Sequence, residues 1–361
     1  VATGAYVHVP FCSSRCDYCA FATWTDRDHL MVDYVAACRA EIAAALAHEG
    51  WGPFDTVYVG GGTPSRLPAE ALASLVAALP RRDGAEVTVE CNPEDASADR
   101  FAAWGDAGVT RVSLGVQSLV PHVLRGLGRR HDPEAVAGAV ALAAAAGFRV
   151  SVDLIFGGAG ETDADWACSV EGVLALDPVP AHVSAYALTV EPGTPLAAEA
   201  WRHPDDDVQA RRYVMVDERL RDAGYRWYEV SNWARPGNEC RHNQLYWAQG
   251  DYRGFGASAH SHAAGRRFWN IRTPERYIAA LGAGRLPVAG EETLGDDQRA
   301  FERLALSLRT PAGVPWSAVP DDPDLCGLVE RRGDRGVLTV RGRLLANAVT
   351  ARLRVPSILP A

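Results

Sequence analysis

The 361-residue sequence contains no lysine, only two methionines and no long apolar run. Every fixed positive charge is therefore an arginine, a bias that codon usage explains more cheaply than function does. The 36 basic residues are outnumbered by 45 acidic ones, for a net charge of −9. That balance disfavours a broad nucleic-acid-binding face, which needs surplus cations against phosphate, so no nucleic-acid partner is expected. The longest stretch free of charge and strong polarity, residues 135–148, is mostly Ala and Gly. It is too short and too weakly apolar to cross a bilayer, so no transmembrane segment is expected, which leaves room for a peripheral membrane contact. No charged-then-apolar secretory segment opens the chain, and a cytoplasmic location is the expectation. Cysteine is also sparse. Of eight, Cys12, Cys16 and Cys19 fall within eight residues, and the other five are scattered singly. A secreted disulfide framework would spread paired cysteines along a short chain; one tight cluster points to a metal centre in a reducing compartment.

At ~100–200 residues per domain, the length argues for two domains or one large domain with an appendage. Short β-branched or aromatic runs (Tyr6–Val9, Thr56–Val59, Glu86–Glu90, Arg111–Gly115, Arg149–Phe156, His182–Ala187 and Arg226–Val230) alternate with Ala- and Leu-rich helical patterns. Such alternation predicts an α/β fold with parallel strands joined by right-handed crossovers. Six or seven units suit a partial TIM-type (β/α)6 barrel with extra strands over residues 1–235. Residues 236–289 read as an irregular, aromatic- and His-rich connecting segment. A small, mostly helical C-terminal domain is expected over residues 290–361, including a strand at Gly336–Val340.

The informative loops follow the strands: Gly60-Gly61-Gly62-Thr63-Pro64, Asn92-Pro93, Gln117-Ser118 and Gly157-Gly158. In a barrel they share the face where small-molecule sites are built. The first strand leads into Cys12-Ser-Ser-Arg-Cys16-Asp-Tyr-Cys19, a C-x3-C-x2-C spacing. Three thiolates are too few for a closed structural zinc site, and they suit a [4Fe–4S] cluster with one iron left open. The alternatives are incidental cysteines, or zinc completed by Cys38 or His29.

This motif, with Gly61-Gly62-Thr63-Pro64 after the second strand, resembles the radical S-adenosylmethionine superfamily. Over nearly the whole chain, from Tyr6 to Asn347, the sequence is similar to the group that holds oxygen-independent coproporphyrinogen III oxidase and its haem-chaperone relatives. The resemblance implies that Tyr6, Gly61, Gly62, Thr63 and Glu90 contact cluster-bound S-adenosylmethionine, with Tyr18 near its adenine. It also implies that Gln117, Arg129, Asp153 and Ala187 match positions holding a second S-adenosylmethionine in the oxidase.

Three observations tilt toward the chaperone branch. The oxidase has a further cysteine where Phe21 stands, and a longer segment ahead of the cluster, against 11 residues here. Conversely, His242-Asn-Gln-Leu-Tyr246-Trp247 fits that branch's H-N-x-x-Y-W motif. A neutral imidazole is a good axial ligand for haem iron, so His242 is the expected haem ligand, flanked by Tyr246 and Trp247. His260 and His262 are reserve ligands, and Arg241, Arg253, Arg266 and Arg267 could pair with propionates. The competing reading makes His242 a buried, hydrogen-bonded core histidine.

The expected function is a haem chaperone with a [4Fe–4S] cluster and S-adenosylmethionine, carrying haem as cargo to an unidentified acceptor protein. Its rival is radical decarboxylation of coproporphyrinogen III; a zinc interaction module is a third reading, which the Gly-rich loops and barrel pattern oppose.

Overall fold

Inward and outward residues alternate along six parallel strands, and this alternation organises the molecule. A computed structural model describes residues 2–129 and 131–355; residues 356–361, the end of the expected C-terminal domain, lie outside the described residues. The strands are β1 (Thr3–Val9), β2 (Phe54–Gly61), β3 (Arg81–Cys91), β4 (Arg111–Gln117), β5 (Arg149–Phe156) and β6 (His182–Ala187). Val7, Val9, Val57, Val59, Val87, Val89, Val112 and Val152 point outward into one apolar core. Covering them are the crossover helices α1 (Met31–Ala44), α2 (Ala69–Ala77), α3 (Ala98–Asp106), α4 (Pro121–Gly126), α5 (Ala135–Ala145) and α6 (Asp163–Leu174). Branched side chains suit such a pleated, half-buried surface. Helix starts are set locally: Ser97 accepts from Arg100 N, and Thr162 and Asp165 form a reciprocal capping box.

Inward positions are polar instead: Thr56 and Tyr58 on β2, Glu86, Thr88 and Glu90 on β3, Arg111 and Ser113 on β4, Ser151 and Asp153 on β5. Neighbouring strands bond through them, as in Ser113 Oγ to Asp153 (3.0 Å) and Tyr58 Oη to Glu90 (2.8 Å).

The sheet extends beyond these six strands on both sides. After α7 (Pro195–Ala198) and α8 (Asp206–Asp222), β8 (Asn232–Ala234) pairs antiparallel with β6 and β7 (Arg226–Glu229) pairs antiparallel with β8, in the order β6-β8-β7. The expected seventh strand is thus an edge strand separated from β6 by the antiparallel β8, and not a seventh βα unit. After α9 (Arg241–Trp247), β9 (Asp251–Phe255) pairs parallel with β1, and β10 (His260–Ala263), β11 (Arg266–Asn270) and β12 (Val288–Thr293) continue antiparallel, α10 (Pro274–Gly282) preceding β12. The 12-stranded sheet stays open as a partial barrel. Residues 236–289, read as irregular, therefore hold two helices and the strands β9 to β11. Their strands are short and rich in Gly, His and Arg, and the open edge of β1 supplies the pairing that their composition does not announce. A boundary at residue 290 falls inside β12, which is hydrogen-bonded to β11 through Thr293.

Beyond β12, α11 (Asp296–Leu308) packs Leu304 and Leu308 with Val314, Leu328, Leu338 and Val349 in a separate small core. That core also holds β13 (Val314–Pro315), β14 (Val329–Arg332) and β15 (Arg335–Leu338), a three-stranded sheet. Thr339 then caps a short helix that starts at Val340, so β15 ends two residues before the expected strand does.

The extension is tied to the barrel by a buried charge cluster. Arg253 on β9 meets Glu41 of α1 at 3.2 Å and Glu49, in the π-turn ending that helix, at 3.1 Å. Glu41 also accepts from Tyr277 Oη (2.6 Å), Gly256 N (2.9 Å) and Asn270 Nδ2 (2.8 Å). Burial raises the Glu41 pKa and Arg253 opposes the rise. Removing one partner strands a buried charge, so Arg253→Met should cost about 3–5 kcal/mol in urea denaturation. Arg253→Met with Glu41→Gln should recover part of that loss; a loss near zero for the single variant would contradict this role for the cluster.

Candidate cofactor site

Chain direction at the end of β1 is set by backbone pairing. Cys12 N donates to Trp24 O (3.1 Å) and Trp24 N to Pro10 O (2.8 Å), closing residues 10–24 into a loop that carries Cys12, Cys16 and Cys19. Asp17, on this loop, donates its N–H to Leu127 O (3.3 Å) and pairs its carboxylate with Arg202 (2.7 Å). The loop after β2 clasps it from the other side: Gly62 N donates to Val9 O and Thr63 N to Phe11 O, both at 2.8 Å. Gly61 holds φ +115°, and a Cβ there would sit 2.5 Å from the His8 ring. At Gly62 a Cβ would meet Val9 O and Phe11 O at 2.9 Å and Cys12 Sγ at 3.0 Å. Both positions therefore require glycine.

Above the clasp lies a cavity of about 600 Å³ at the carboxyl ends of the strands. Cys12, Cys16, Cys19, Tyr18, Gly61, Gly62, Thr63, Glu90, Gln117, Arg129, Asp153 and Ala187 all line it. Glu90 accepts from Tyr58 Oη (2.8 Å) and Gly61 N (3.2 Å). Burial, reinforced by the nearby Asp153 carboxylate, pushes its pKa up to about 7. Asp153 is raised as well, chiefly by burial. Arg129 donates to Asn92 Oδ1 (2.9 Å), Gly115 O (3.0 Å) and Cys16 Sγ (3.7 Å). Gln117 takes a left-handed backbone at φ +63°, a strained state for a non-glycine residue that the flanking strand and loop must hold.

All eight cysteines are free. Among the described residues, no three His, Cys, Asp or Glu side chains converge on a single ion. The three loop thiols instead line a shared cavity, a donor set that fits a cluster with one thiolate per iron. Zinc completed by Cys38 is overturned: Cys38 is buried in the apolar core beneath Tyr277 Oη.

Four expected site residues lie elsewhere. Tyr6 is one pleat below the cavity, its hydroxyl 3.0 Å from His8 Nδ1 and its ring stacked on Tyr58. His8 Nε2 faces Ala22 O at 2.9 Å; a carbonyl only accepts, so Nδ1 takes the Tyr6 proton. His242 is 1% exposed, with Nδ1 on Thr56 Oγ1 and Nε2 on Tyr246 Oη, both at 2.8 Å. Its ring stacks on Tyr58, and α9 closes the amino-end base of the barrel, away from the cysteines. Both ring nitrogens of His242, the expected axial haem ligand flanked by Tyr246 and Trp247, are thus engaged by hydroxyl groups in this fold. His262 is likewise engaged, by Gly250 O and Gly265 N. His260 is exposed and stacks on Trp269. Arg253 is buried, while Arg266 and Arg267 pair with Glu291, Glu292 and Glu302.

The family model described as the Radical SAM superfamily matches residues 6–170. The chain is 46% identical to the heme chaperone HemW of Mycobacterium tuberculosis, over 97% of this chain and 94% of that protein. The chain belongs to the HemW family. The heme chaperone HemW of Bacillus subtilis is 32% identical, over 96% of this chain and 97% of its own length. Among solved structures, the Escherichia coli coproporphyrinogen III oxidase HemN, a radical SAM enzyme, superposes with a TM-score of 0.84 at 22% identity. That match covers 97% of this chain and 89% of HemN, and it shows the shared fold.

Several lining residues escaped the sequence reading as site residues, among them Thr23, Tyr58, Ser113 and Tyr186. Tyr58, Ser113 and Tyr186 occupy inward strand positions, so a polar or aromatic residue two places from another inward one was the available signal. Phe21, 66% exposed, stands on the cavity rim.

The buried imidazole makes a pH prediction. Burial lowers the His242 pKa to about 3, so it stays neutral in the fold while the unfolded chain protonates near its ordinary value of 6.5. The unfolded state then binds more protons, and this contribution to stability is lost as pH falls below about 6.5. Between pH 7.5 and 5.5 it amounts to roughly 1 kcal/mol. Urea denaturation should show a pH-dependent loss that is smaller by about that amount in His242→Gln; equal pH dependence in the two proteins would refute the assignment.

Proposed function

We propose that this protein holds a [4Fe–4S] cluster on Cys12, Cys16 and Cys19, binds S-adenosylmethionine beside it, and carries haem to an acceptor protein. The observation that carries the reading is the convergence of three free thiols, the Gly61–Thr63 loop and Glu90 in one cavity of a HemW-family chain. When bound, the cluster supplies an open iron that chelates the amino and carboxylate groups of S-adenosylmethionine, and a low-potential electron. The chain's own residues shape the ligand: Gly61 and Gly62 let the backbone approach its methionine end, Glu90 accepts from ribose hydroxyls, and Tyr18 packs near the adenine. Gln117, Arg129, Asp153 and Ala187 extend the same cavity toward a second S-adenosylmethionine or another ligand.

For haem ligation, His260 replaces His242 as the candidate, because its imidazole is exposed beside Trp269. No helix among the described residues is long and apolar enough to cross a membrane. A reducing, cytoplasmic setting suits three free thiols and an oxygen-sensitive cluster. The second reading, oxygen-independent coproporphyrinogen III oxidation, draws on the shared HemN fold; Phe21 in place of the oxidase's further cysteine weighs against it.

Anaerobic reconstitution, haem titration and a coproporphyrinogen assay on one sample test the proposal. About four irons per chain should load. Cys12→Ala, Cys16→Ala and Cys19→Ala should each abolish the cluster, while Cys38→Ala, Cys168→Ala and Cys326→Ala retain it. His260→Ala should weaken haem binding more than His242→Ala does. Stoichiometric zinc without iron would overturn the cluster, and sustained protoporphyrinogen formation would promote the oxidase reading.

Glu90 adds a pH dependence. With its pKa near 7, the carboxyl is increasingly protonated below neutrality and loses the acceptor character that ribose hydroxyls need. S-adenosylmethionine affinity, measured by calorimetry on the reconstituted protein, should fall from pH 8 to pH 6. Glu90→Gln should bind more weakly at pH 8 and lose that dependence; a Gln variant with the wild-type profile would remove Glu90 from the site.

A further inference from the structure

The Glu90 carboxylate is held at both oxygens. Tyr58 Oη donates to Oε1 at 2.8 Å, and Gly61 N donates to Oε2 at 3.2 Å. Gly60 lies between the two donors, and a Cβ there would meet Tyr58 Cε1 at 2.9 Å and Glu90 Oε1 at 3.0 Å. Its lack of a side chain is what lets the phenol reach across to β3. The Tyr58 ring is itself fixed by stacking, with centroids 6.4 Å from Tyr6 and 5.4 Å from His242. An ionised carboxylate offers about four lone-pair sites, so each Glu90 oxygen keeps an acceptor position after these two bonds. That pair, with its plane fixed, suits the two adjacent hydroxyls of a ribose. The groups that face Glu90 are Tyr58 and Gly61 N on β2, Tyr6 on β1 and Asp153 on β5, and none of them is a cation. Two hydrogen bonds therefore hold the ionised form against burial and the Asp153 charge.

We propose that Tyr58 is a positioning residue for S-adenosylmethionine, its hydroxyl fixing the Glu90 carboxylate in the orientation that receives the ribose diol. Tyr58 acts through Glu90 and does not itself need to touch the ligand. Its hydrogen bond also favours the charged carboxylate, so removing it moves the Glu90 titration to higher pH. The diol donates to the ionised form. Without the phenol, S-adenosylmethionine affinity therefore begins to fall at a higher pH than in wild type. The inference rests on the S-adenosylmethionine reading above.

The test is calorimetric titration of S-adenosylmethionine into the reconstituted full chain across neutral and mildly alkaline pH. Wild type, Tyr58→Phe, Glu90→Ala and the double variant are compared. Tyr58→Phe keeps the ring and its stacking and loses only the hydroxyl. With iron content unchanged, it should bind roughly tenfold more weakly at pH 8, and its midpoint should lie at higher pH than that of wild type. In the Glu90→Ala background the same change should add little, because a residue that acts through Glu90 has nothing left to act on. A loaded Tyr58→Phe protein with the wild-type affinity and midpoint overturns the proposal, as does an equal loss in both backgrounds. Infrared difference spectra of the full chain without ligand give a second readout. The protonated-carboxyl band that is absent from Glu90→Ala should titrate at higher pH in Tyr58→Phe, whether or not that variant loads a cluster. An unmoved band overturns the role of Tyr58. Wild type that loads its cluster and binds no S-adenosylmethionine would instead remove the ligand reading on which the inference rests.

Discussion

Two backbone hydrogen bonds, Gly62 N to Val9 O and Thr63 N to Phe11 O, hold the cysteine loop against the end of β2. Everything above the barrel depends on them. They place Cys12 beside Thr63, and they work only because residues 61 and 62 lack side chains that would strike His8, Val9 and Phe11. His8 in turn braces the far end of the loop through Ala22 O, which fixes its tautomer, while Tyr6 donates to Nδ1. The cofactor loop is thus positioned by inward residues of β1 as much as by its own sequence. A site assembled on the ends of paired strands keeps its geometry better than one carried by a free loop.

The same barrel interior explains the electrostatics of the cavity. Outward positions supply the apolar core, so the inward face is left to polar groups that must satisfy one another in little water. Glu90 and Asp153 share this enclosed space, and desolvation is the main cause of the rise at both, with the Asp153 charge adding to it at Glu90. Enclosure, with Asp153 beside it, therefore gives Glu90 a titration near neutrality. A surface carboxylate with the same hydrogen bonds would stay ionised well below that range.

The six parallel strands and their crossover helices were legible because β-branched residues recur along strands whose outer face is covered by helices. The cysteine spacing was legible because thiolate chemistry is specific. The strands β9 to β11 were not. Gly254, His260 and Arg266 carry little intrinsic strand signal, and their pairing depends on the open edge of β1, a tertiary fact. At the candidate site, Gly61, Gly62, Thr63, Glu90, Gln117, Arg129, Asp153 and Ala187 were placed through family resemblance, and the cavity gathers all of them. Tyr6 is outside that lining, beside His8 and stacked on Tyr58. Thr23 carried no signal, because a lone hydroxyl four residues after a cysteine is unremarkable until the loop closes.

His242 poses the same difficulty in sharper form. An imidazole that ligates a metal and one that bridges two hydroxyls look identical in sequence, and only the surrounding fold separates them. Here the surroundings are a polar base layer that has to be sealed. Glu86 and Arg111 lie 3.8 Å apart inside the barrel, and the chain from Asn238 to Tyr246 closes over them. Arg111 donates to Asn238 O (2.9 Å), Glu86 accepts from His242 N (3.2 Å), and Cys240 N donates to Tyr228 Oη (3.3 Å). Tyr228 also meets His182, which bonds Ser151 on β5. In this setting the His, Asn and Tyr of the motif have the chemistry of a plug. An unpaired polar group at the base of a dry barrel costs about 1–3 kcal/mol, so a segment that satisfies several at once is held by stability alone. Drawing His242 out toward a haem would break its bonds to Thr56 and Tyr246 and open the layer beneath Tyr58, the donor to Glu90. The motif and the cofactor cavity are therefore coupled through Tyr58, and the motif supports the cavity from below.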